Sequence, residues 1–455
     1  MTDLIAGVPK ARLDRFRAAE AARYAAGRPR SKTAQGAAAE VYVNAVPLHW
    51  MSDWPLPFPM LVDHATAATL TDIDGFVVDD FCLGDTGSMF GHSPAPVAKA
   101  IRRQARRGLT YMLPSEAALI AGHLLSDTFG DFRWQVATTA TDANRFALRV
   151  ARAVTGRPKV LVFNGCYHGT VDDAMVTLDD KGRTITRPGL LGQVEDLSLV
   201  AHCVEFNDIA AVEAVLATGQ IAAVLTEPVM TNCAMVLPDE GFHAALRAAC
   251  TRHRALLIID ETHTISSGHG GYTRAHGLYP DMFVVGKCVA GGMPTAVWGM
   301  RPVIEARYLL ANEDRASGHS GMGTTLSANP MQFACLVATL TEVMTPKAHA
   351  HMEKGAARLA RGLSKAIAKH RAPWHVVRVG ARVEFICAPG PLRNGTEAAA
   401  AHMPEVEGAM NLALLNRGCL IAPFHNMMLV SPVTKKRQTL RLIAAFDEVL
   451  AELFQ

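Results

Sequence analysis

The 455-residue chain has no run of 18 or more apolar residues, so nothing in it reads as a membrane-spanning helix. It has no basic block. Its 45 Lys and Arg stand against 42 Asp and Glu, a net charge of +3, and neither zinc-finger spacing nor aromatic–basic alternation occurs. Nucleic acid is a poor partner for such a surface. No Cys-x-x-Cys occurs, and the nine cysteines, Cys82, Cys166, Cys203, Cys233, Cys250, Cys288, Cys335, Cys387 and Cys419, are scattered. That pattern argues against a disulfide scaffold, suggests no metal site and suits a reducing compartment. No Gly-x-Gly-x-x-Gly follows an early strand, which argues against a nucleotide-dependent dehydrogenase. The first thirty residues mix charged and apolar positions without the apolar core of a signal peptide, so the chain reads as cytoplasmic.

What is present is foldable. Hydrophobic residues make up 49% and charged residues 19%, and the length calls for more than one core. The opening to about Arg28 has a helical pattern, broken at Gly27 to Ser31. Residues 46–60, VPLHWMSDWPLPFPM, hold two Trp and four Pro and cannot form a regular helix or central strand. ATLTDIDGFVVDDF predicts a hairpin turning at Asp72 to Gly75. A loop with Gly84, Gly87 and Gly91 follows, then a helix opening near Pro94 and Pro96.

From about residue 100 to 330, short apolar runs alternate with amphipathic helices. KVLVF (159–163), AAVLTEP (222–228), ALLIIDE (255–261) and MFVVGK (282–287) each end in polar residues. Buried parallel strands read this way, with function at their C-terminal ends. After Pro330 the pattern predicts a long helix over MQFACLVATLTEVM, paired strands within 376–389 and a terminal helix. There is no internal repeat. The expected architecture is α/β: a large domain over 96–330 with a mostly parallel mixed sheet, and a smaller α+β domain over 331–455. Residues 1–95 are expected to join the small domain and a dimer interface.

Four features carry chemistry. Lys287 follows a buried strand and precedes Gly291-Gly292. A desolvated amine there is suited to a Schiff base, although a strand-end Lys can also snorkel to solvent. Asp260 and Glu261 close another strand and face opposite ways, so only one meets a given ligand. Asp260 could pair with a cationic ring nitrogen, or be a solvated or metal-binding acid. The run 136–152 places three Thr before a helix whose free N–H groups could bind phosphate; Thr139 or Thr141 could equally be a plain cap. Tyr167, in Gly165-Cys166-Tyr167-His168-Gly169, could stack on a flat cofactor.

Together these stretches resemble the class III aminotransferases of pyridoxal-phosphate fold type I, in the branch that contains glutamate-1-semialdehyde aminomutase. TTATDANRFALRVAR resembles NSGTEAxxxAxxxAR, and GCYHG resembles GxYHG. TEPV resembles the EPV segment, IIDETHT resembles hDEVxTG, VVGKCVAGGMPTAVWG resembles GKhhGGGhPhGAhGG, and TTLSANP resembles GTxSGNP. The resemblance runs in order over about 138–330 and implies a pyridoxal 5'-phosphate enzyme. It implies that Lys287 holds the cofactor as a Schiff base and that Asp260 pairs with the ring nitrogen. Tyr167 would stack on the ring, with Thr262 packing on a face and Glu227 helping to hold the ring region. Ala140 and Thr141, with Thr139, would receive the phosphate, and Thr325 would reach the phosphate of a second copy in a homodimer with shared active sites. His168 would be structural beneath the stacked Tyr. The phosphate turn is Thr138-Thr139-Ala140-Thr141 where the family has Asn-Ser-Gly-Thr, and other departures include Asp142 for Glu, Thr262 for Val and Thr324 for Gly.

The expected reaction is aminotransfer between an amino acid, aromatic or β-amino in one reading, and a 2-oxo acid, both small molecules. An aminomutase or amino-acid epimerase using the same Lys is the alternative, and an inactive regulatory or scaffold protein is the non-enzyme reading. His49, Trp50 and Trp54 are aromatic candidates for the substrate, with Arg28 for a carboxylate, Ser88 beside Asp85 and Met89 at the entrance, and Asn426 with Met427 from the tail.

Overall fold

The computed structural model describes residues 3–455 and divides into two compact units. The larger comprises residues 95–349 and 392–400. Its centre is a seven-stranded sheet of β1 (Arg133–Ala137), β2 (Lys159–Phe163), β3 (Ala201–Val204), β4 (Ile221–Thr226), β5 (Leu256–Asp260), β6 (Met282–Val285) and β7 (Ala296–Met300). The order is β3-β2-β4-β5-β6-β7-β1. Pairing is parallel from β3 to β6, and only β7 runs against its neighbours. This is the mostly parallel mixed sheet that the apolar runs predict. Helices on its faces bury both sides, so strands such as β4 and β5 have no polar alternation.

The helix α1 (Ala140–Thr155) shows how the faces are covered. Its residues Ala143, Phe146, Ala147, Val150 and Ala151 recur at helical spacing and join the sheet core. Burying Phe146 alone contributes roughly 1.5–3 kcal/mol. Thr139 caps the start by accepting from the Asp142 N–H at 3.1 Å, and Gly156 ends the helix in a left-handed turn at φ +66°.

The other unit comprises the chain up to Pro94, residues 350–391 and 401–455. The hairpin forms as expected: Thr69–Asp72 pairs antiparallel with Val77–Asp80. A short C-terminal strand, Cys419–Leu420, then pairs parallel with Asp79 and Asp80, so both ends of the chain share one sheet. A second sheet holds His375–Val379, Arg382–Ile386 and Met427–Leu429. The Trp- and Pro-rich segment contains only a single 3-10 turn, His49–Ser52.

Two readings shift. The break at residues 27–31 narrows to Arg28, because Pro29 opens a second helix, Pro29–Ala39. The helix after Pro330 runs only to Ala338 and passes into a π-helical turn, Thr339–Val343. The long helix of this region is Pro346–His370. The first of these packs on the helices Ala95–Gln104 and Glu116–Phe129, so the larger unit extends to His349 and not only to residue 330. No helix among the described residues is long and apolar enough to cross a membrane.

Candidate functional site

In the larger unit, the polar residues that close β2, β4, β5 and β6 gather along one edge of the sheet. Asp260 ends β5 and lies opposite Val284 of β6 in register, three residues before Lys287. Its carboxylate is buried and accepts three hydrogen bonds. The Asn144 side-chain amide donates to Oδ2 at 2.8 Å, the His168 ring through Nδ1 bonds the same oxygen at 3.0 Å, and the Thr262 N–H donates to Oδ1 at 3.0 Å. Burial alone would raise the Asp260 pKa, but the bond and charge of His168, with Thr262 and Asn144, hold it below the ordinary carboxylate value. Burial alone would depress His168, yet its bond to Asp260 outweighs that and raises the ring to about 10. Asp260 therefore stays an anion with a cationic partner behind it. Glu261 faces away, as strand alternation requires. It accepts from Thr264 Oγ1 at 2.6 Å and from the Tyr272 N–H at 3.1 Å.

The start of α1 lies at the same edge. The N–H groups of Ala140 and Thr141 occupy its first turn, where no intrahelical acceptor exists. Ala140 keeps a negative φ, so the family's Gly is not needed there for conformation. Gly169 has φ +82°, and a Cβ on it would stand 2.2 Å from Thr141 Oγ1. The Thr141 hydroxyl in turn accepts from the Thr170 N–H at 3.2 Å. The loop after β2 is thus seated on the helix start, and only a glycine permits the approach. Tyr167 on that loop is 42% exposed. Thr324 and Thr138 are linked through one hydroxyl: Ser327 Oγ lies 2.6 Å from Thr324 Oγ1 and 3.1 Å from Thr138 Oγ1. Thr325 is exposed beside them.

Lys287 opens a 3-10 turn, Lys287–Ala290, with its own backbone left-handed at φ +50°. Its Nζ lies 2.8 Å from Nε2 of His263. Gly286 precedes it at a point where a Cβ would meet the Ala140 Cβ at 2.9 Å. Lysine and helix start are therefore brought together by the absence of a side chain. Glu227, after β4, is buried and accepts from the Thr231 N–H at 3.3 Å and from the Thr231 hydroxyl.

The substrate candidates lie in the other unit. Arg28 forms a buried pair with Asp72 at 2.9 Å and stacks on Tyr24 and Phe76, so its charge already serves the hairpin. This corrects the expectation of a carboxylate site there. His49 is exposed, and Trp50 is 43% exposed with its ring edge-on to Phe424 at 6.1 Å. Trp54 and Ser88 are half-buried, Asn426 is buried, and Met89 and Met427 are core residues with no exposure. Sequence reasoning missed Arg382, wholly buried and donating to Thr86 Oγ1 at 3.0 and 3.2 Å, with Asp85 at 3.6 Å. Its signal was a charged pair, Arg382 and Glu384, on one face of an apolar strand. Asn144 was visible as a polar residue on the apolar stripe of α1. His263 carried no signal beyond its place in DETHT.

The aminotransferase class-III family model matches residues 50–449, and the chain belongs to that family. It is 32% identical over 399 residues to a glutamate-1-semialdehyde 2,1-aminomutase of Sorangium cellulosum, covering 86% of this chain and 89% of that one. A crystal structure of a glutamate-1-semialdehyde aminomutase from Pseudomonas aeruginosa PAO1 is 47% identical, with a TM-score of 0.96 over 98% of this chain and 100% of that one. A lysine-to-alanine variant of that enzyme has been solved in complex with PMP. A β-phenylalanine aminotransferase from Variovorax paradoxus is 25% identical, with a TM-score of 0.85 over 96% and 97% of the two chains.

The fold is therefore that of the fold type I enzymes dependent on pyridoxal 5'-phosphate, and the chain is such an enzyme, acting on amino groups of small molecules. Its residues fit the cofactor. An amine, an anionic buried carboxylate and the N–H groups of Ala140 and Thr141 at a helix start match an aldehyde, a ring nitrogen and a phosphate in turn. Thr262 Oγ1 is moreover buried without a hydrogen-bond partner of its own. Among the described residues, no group of three or more His, Cys, Asp or Glu is arranged to hold a metal ion.

Proposed function

We propose that this enzyme is an aminomutase of the glutamate-1-semialdehyde kind, moving an amino group between carbons of one small oxo acid. The reading rests on the 47% identity over 98% of the chain to the Pseudomonas enzyme, supported by the 32% identity to the Sorangium one. The aminotransferase expected from the motifs alone is the second reading, which the β-phenylalanine enzyme supports less strongly at 25%.

When bound, the cofactor supplies an electron sink for the bond broken at the amino-bearing carbon. The chain's residues would do the rest. Lys287 would hold the cofactor through its amine and, once displaced, carry a proton to and from the substrate carbon. Asp260, kept anionic by Asn144, His168 and Thr262, would hold the ring nitrogen protonated. Tyr167 would cover one ring face, with Thr262 and Glu227 near the other parts of the ring. The N–H groups of Ala140 and Thr141, with Thr139, would take the phosphate. Thr325, exposed, would reach the phosphate of a second copy, making a homodimer the active form. His49, Trp50, Trp54, Ser88 and Asn426 would shape substrate choice.

The test is glutamate-1-semialdehyde labelled with 15N and offered alone. Migration of the label from C2 to C1, with no other oxo acid present, is the expected result by NMR. A label that leaves the molecule only when a 2-oxo acid is added would replace this reading with the aminotransferase one. A Lys287→Ala variant should abolish either reaction.

A further inference from the structure

We propose that the Thr262 hydroxyl is a cofactor-binding group, meeting an oxygen of bound pyridoxal phosphate with a hydrogen bond. The proposal rests on the cofactor reading above and deepens it. The Val that the family carries at this position can pack on the ring but cannot make such a bond.

The backbone fixes where the hydroxyl stands. The Thr262 N–H donates to Asp260 Oδ1 at 3.0 Å, which ties the residue to the carboxylate assigned to the ring nitrogen. Its side chain is buried, at 5% exposure. Against burial, which raises the Asp260 pKa, the hydroxyl joins His168 in lowering it, so it lies beside that carboxylate. Yet Thr262 Oγ1 is aligned for a hydrogen bond neither with Asp260 nor with any other group among the described residues. Hydroxyls of the same turn find acceptors where one is at hand: Thr264 Oγ1 donates to Glu261 at 2.6 Å, and Ser266 Oγ to the His263 carbonyl at 3.0 Å. Ser267 Oγ is also unpaired, but it follows that turn, five residues further along the chain than Thr262.

A hydroxyl taken out of water without a partner is costly, and a methyl of the same size in its place carries no such cost. Packing alone would therefore favour Val. The oxygen is accounted for when its partner arrives with the ligand that Asp260 also meets. Pyridoxal phosphate brings acceptors of the right kind, an oxygen on the ring and those of its phosphate. A carboxylate and a hydroxyl on one turn would then grip one cofactor.

The experiment compares full-length wild type, Thr262→Val and Thr262→Ser, each stripped of pyridoxal phosphate with hydroxylamine and dialysed. Equilibrium dialysis gives the affinity for added pyridoxal phosphate, and thermal melting gives the stability of the cofactor-free chain. Thr262→Val should bind about tenfold more weakly. Its cofactor-free form should melt about 2 °C higher, because an unpaired buried oxygen has gone. Thr262→Ser keeps the hydroxyl and should bind within about threefold of wild type, while melting lower for the lost methyl. Opposite signs in the Val variant are the signature, since a purely structural Thr262 would move binding and melting the same way. If the cofactor-free Val variant melts no higher than wild type, or does not fold, the hydroxyl already has a partner within the chain, and the proposal is overturned. Binding equal to wild type overturns it as well. If wild type takes up no cofactor and borohydride labels no Lys287 peptide, the cofactor reading fails instead.

Discussion

At the scale of single residues, the candidate site is built on one carboxylate. Asp260 is held anionic by donors that reach it from distant parts of the chain: Asn144 lies 116 residues away and His168 lies 92. A hydrogen bond to a charged group is worth about 1.5–3 kcal/mol. Replacing Asn144 by Leu should therefore weaken cofactor retention roughly ten- to a hundredfold, measured by equilibrium dialysis of pyridoxal phosphate. Unchanged retention would mean that the ring nitrogen does not depend on this carboxylate. Lys287 and Asp260 were legible in the sequence because a charged residue closing an apolar strand is costly and conspicuous. His168, Asn144 and His263 were not read as partners. Their roles lie in contacts between residues distant in sequence, and spacing carries no such information.

At the scale of elements, the central strands and the helix α1 follow directly from apolar runs and helical periodicity. The helix Pro346–His370 escaped notice for a physical reason. Its buried face, Met352, Ala356, Leu359, Leu363 and Ala366, is narrow and partly built of Ala, amid many charged residues. The junction between α1 and the loop after β2 makes a sharper claim. Gly169→Ala places a methyl 2.2 Å from Thr141 Oγ1 on a backbone at φ +82°. Strain of about 1–3 kcal/mol is expected from the conformation alone, and the helix start must also shift. Melting temperature and cofactor retention should both fall. Gly156→Ala, at φ +66° with no neighbour within 4 Å, carries only the conformational cost. It should lower stability by about 1 kcal/mol and leave cofactor retention intact. Equal loss of cofactor in the two variants would refute the seating of loop on helix.

At the scale of the whole molecule, sequence order hides the organisation. The smaller unit is assembled from three separate stretches, and residues 392–400 return to the larger one. Linear composition cannot show that Cys419 pairs with Asp79, because only the folded register joins them. The smaller unit also carries a stability signature. Burial pushes Glu384 up to about 8, with Arg382 opposing and Glu407 and Asp85 adding to the rise. The folded chain thus keeps a proton that the unfolded chain releases from pH 4.5 upward. Stability falls as pH climbs from 4.5 to about 8 by this group's contribution. In Glu384→Gln that slope should disappear, so urea melts of variant and wild type should diverge toward pH 8. Parallel curves across that range would place the buried proton elsewhere.

All nine cysteines are buried as thiols. A thiol reagent added to the native enzyme can react only through openings of the chain, which makes the cysteines nine internal clocks of local breathing. Cys166 sits next to Tyr167 and Cys288 next to Lys287, whereas Cys387 and Cys419 lie in the other unit. Loading the enzyme with pyridoxal phosphate should slow alkylation of Cys166 and Cys288, read by peptide mass, and leave Cys387 and Cys419 ticking at their former rates. Uniform slowing of all four would show that the cofactor holds the whole chain closed and not only the edge of one sheet.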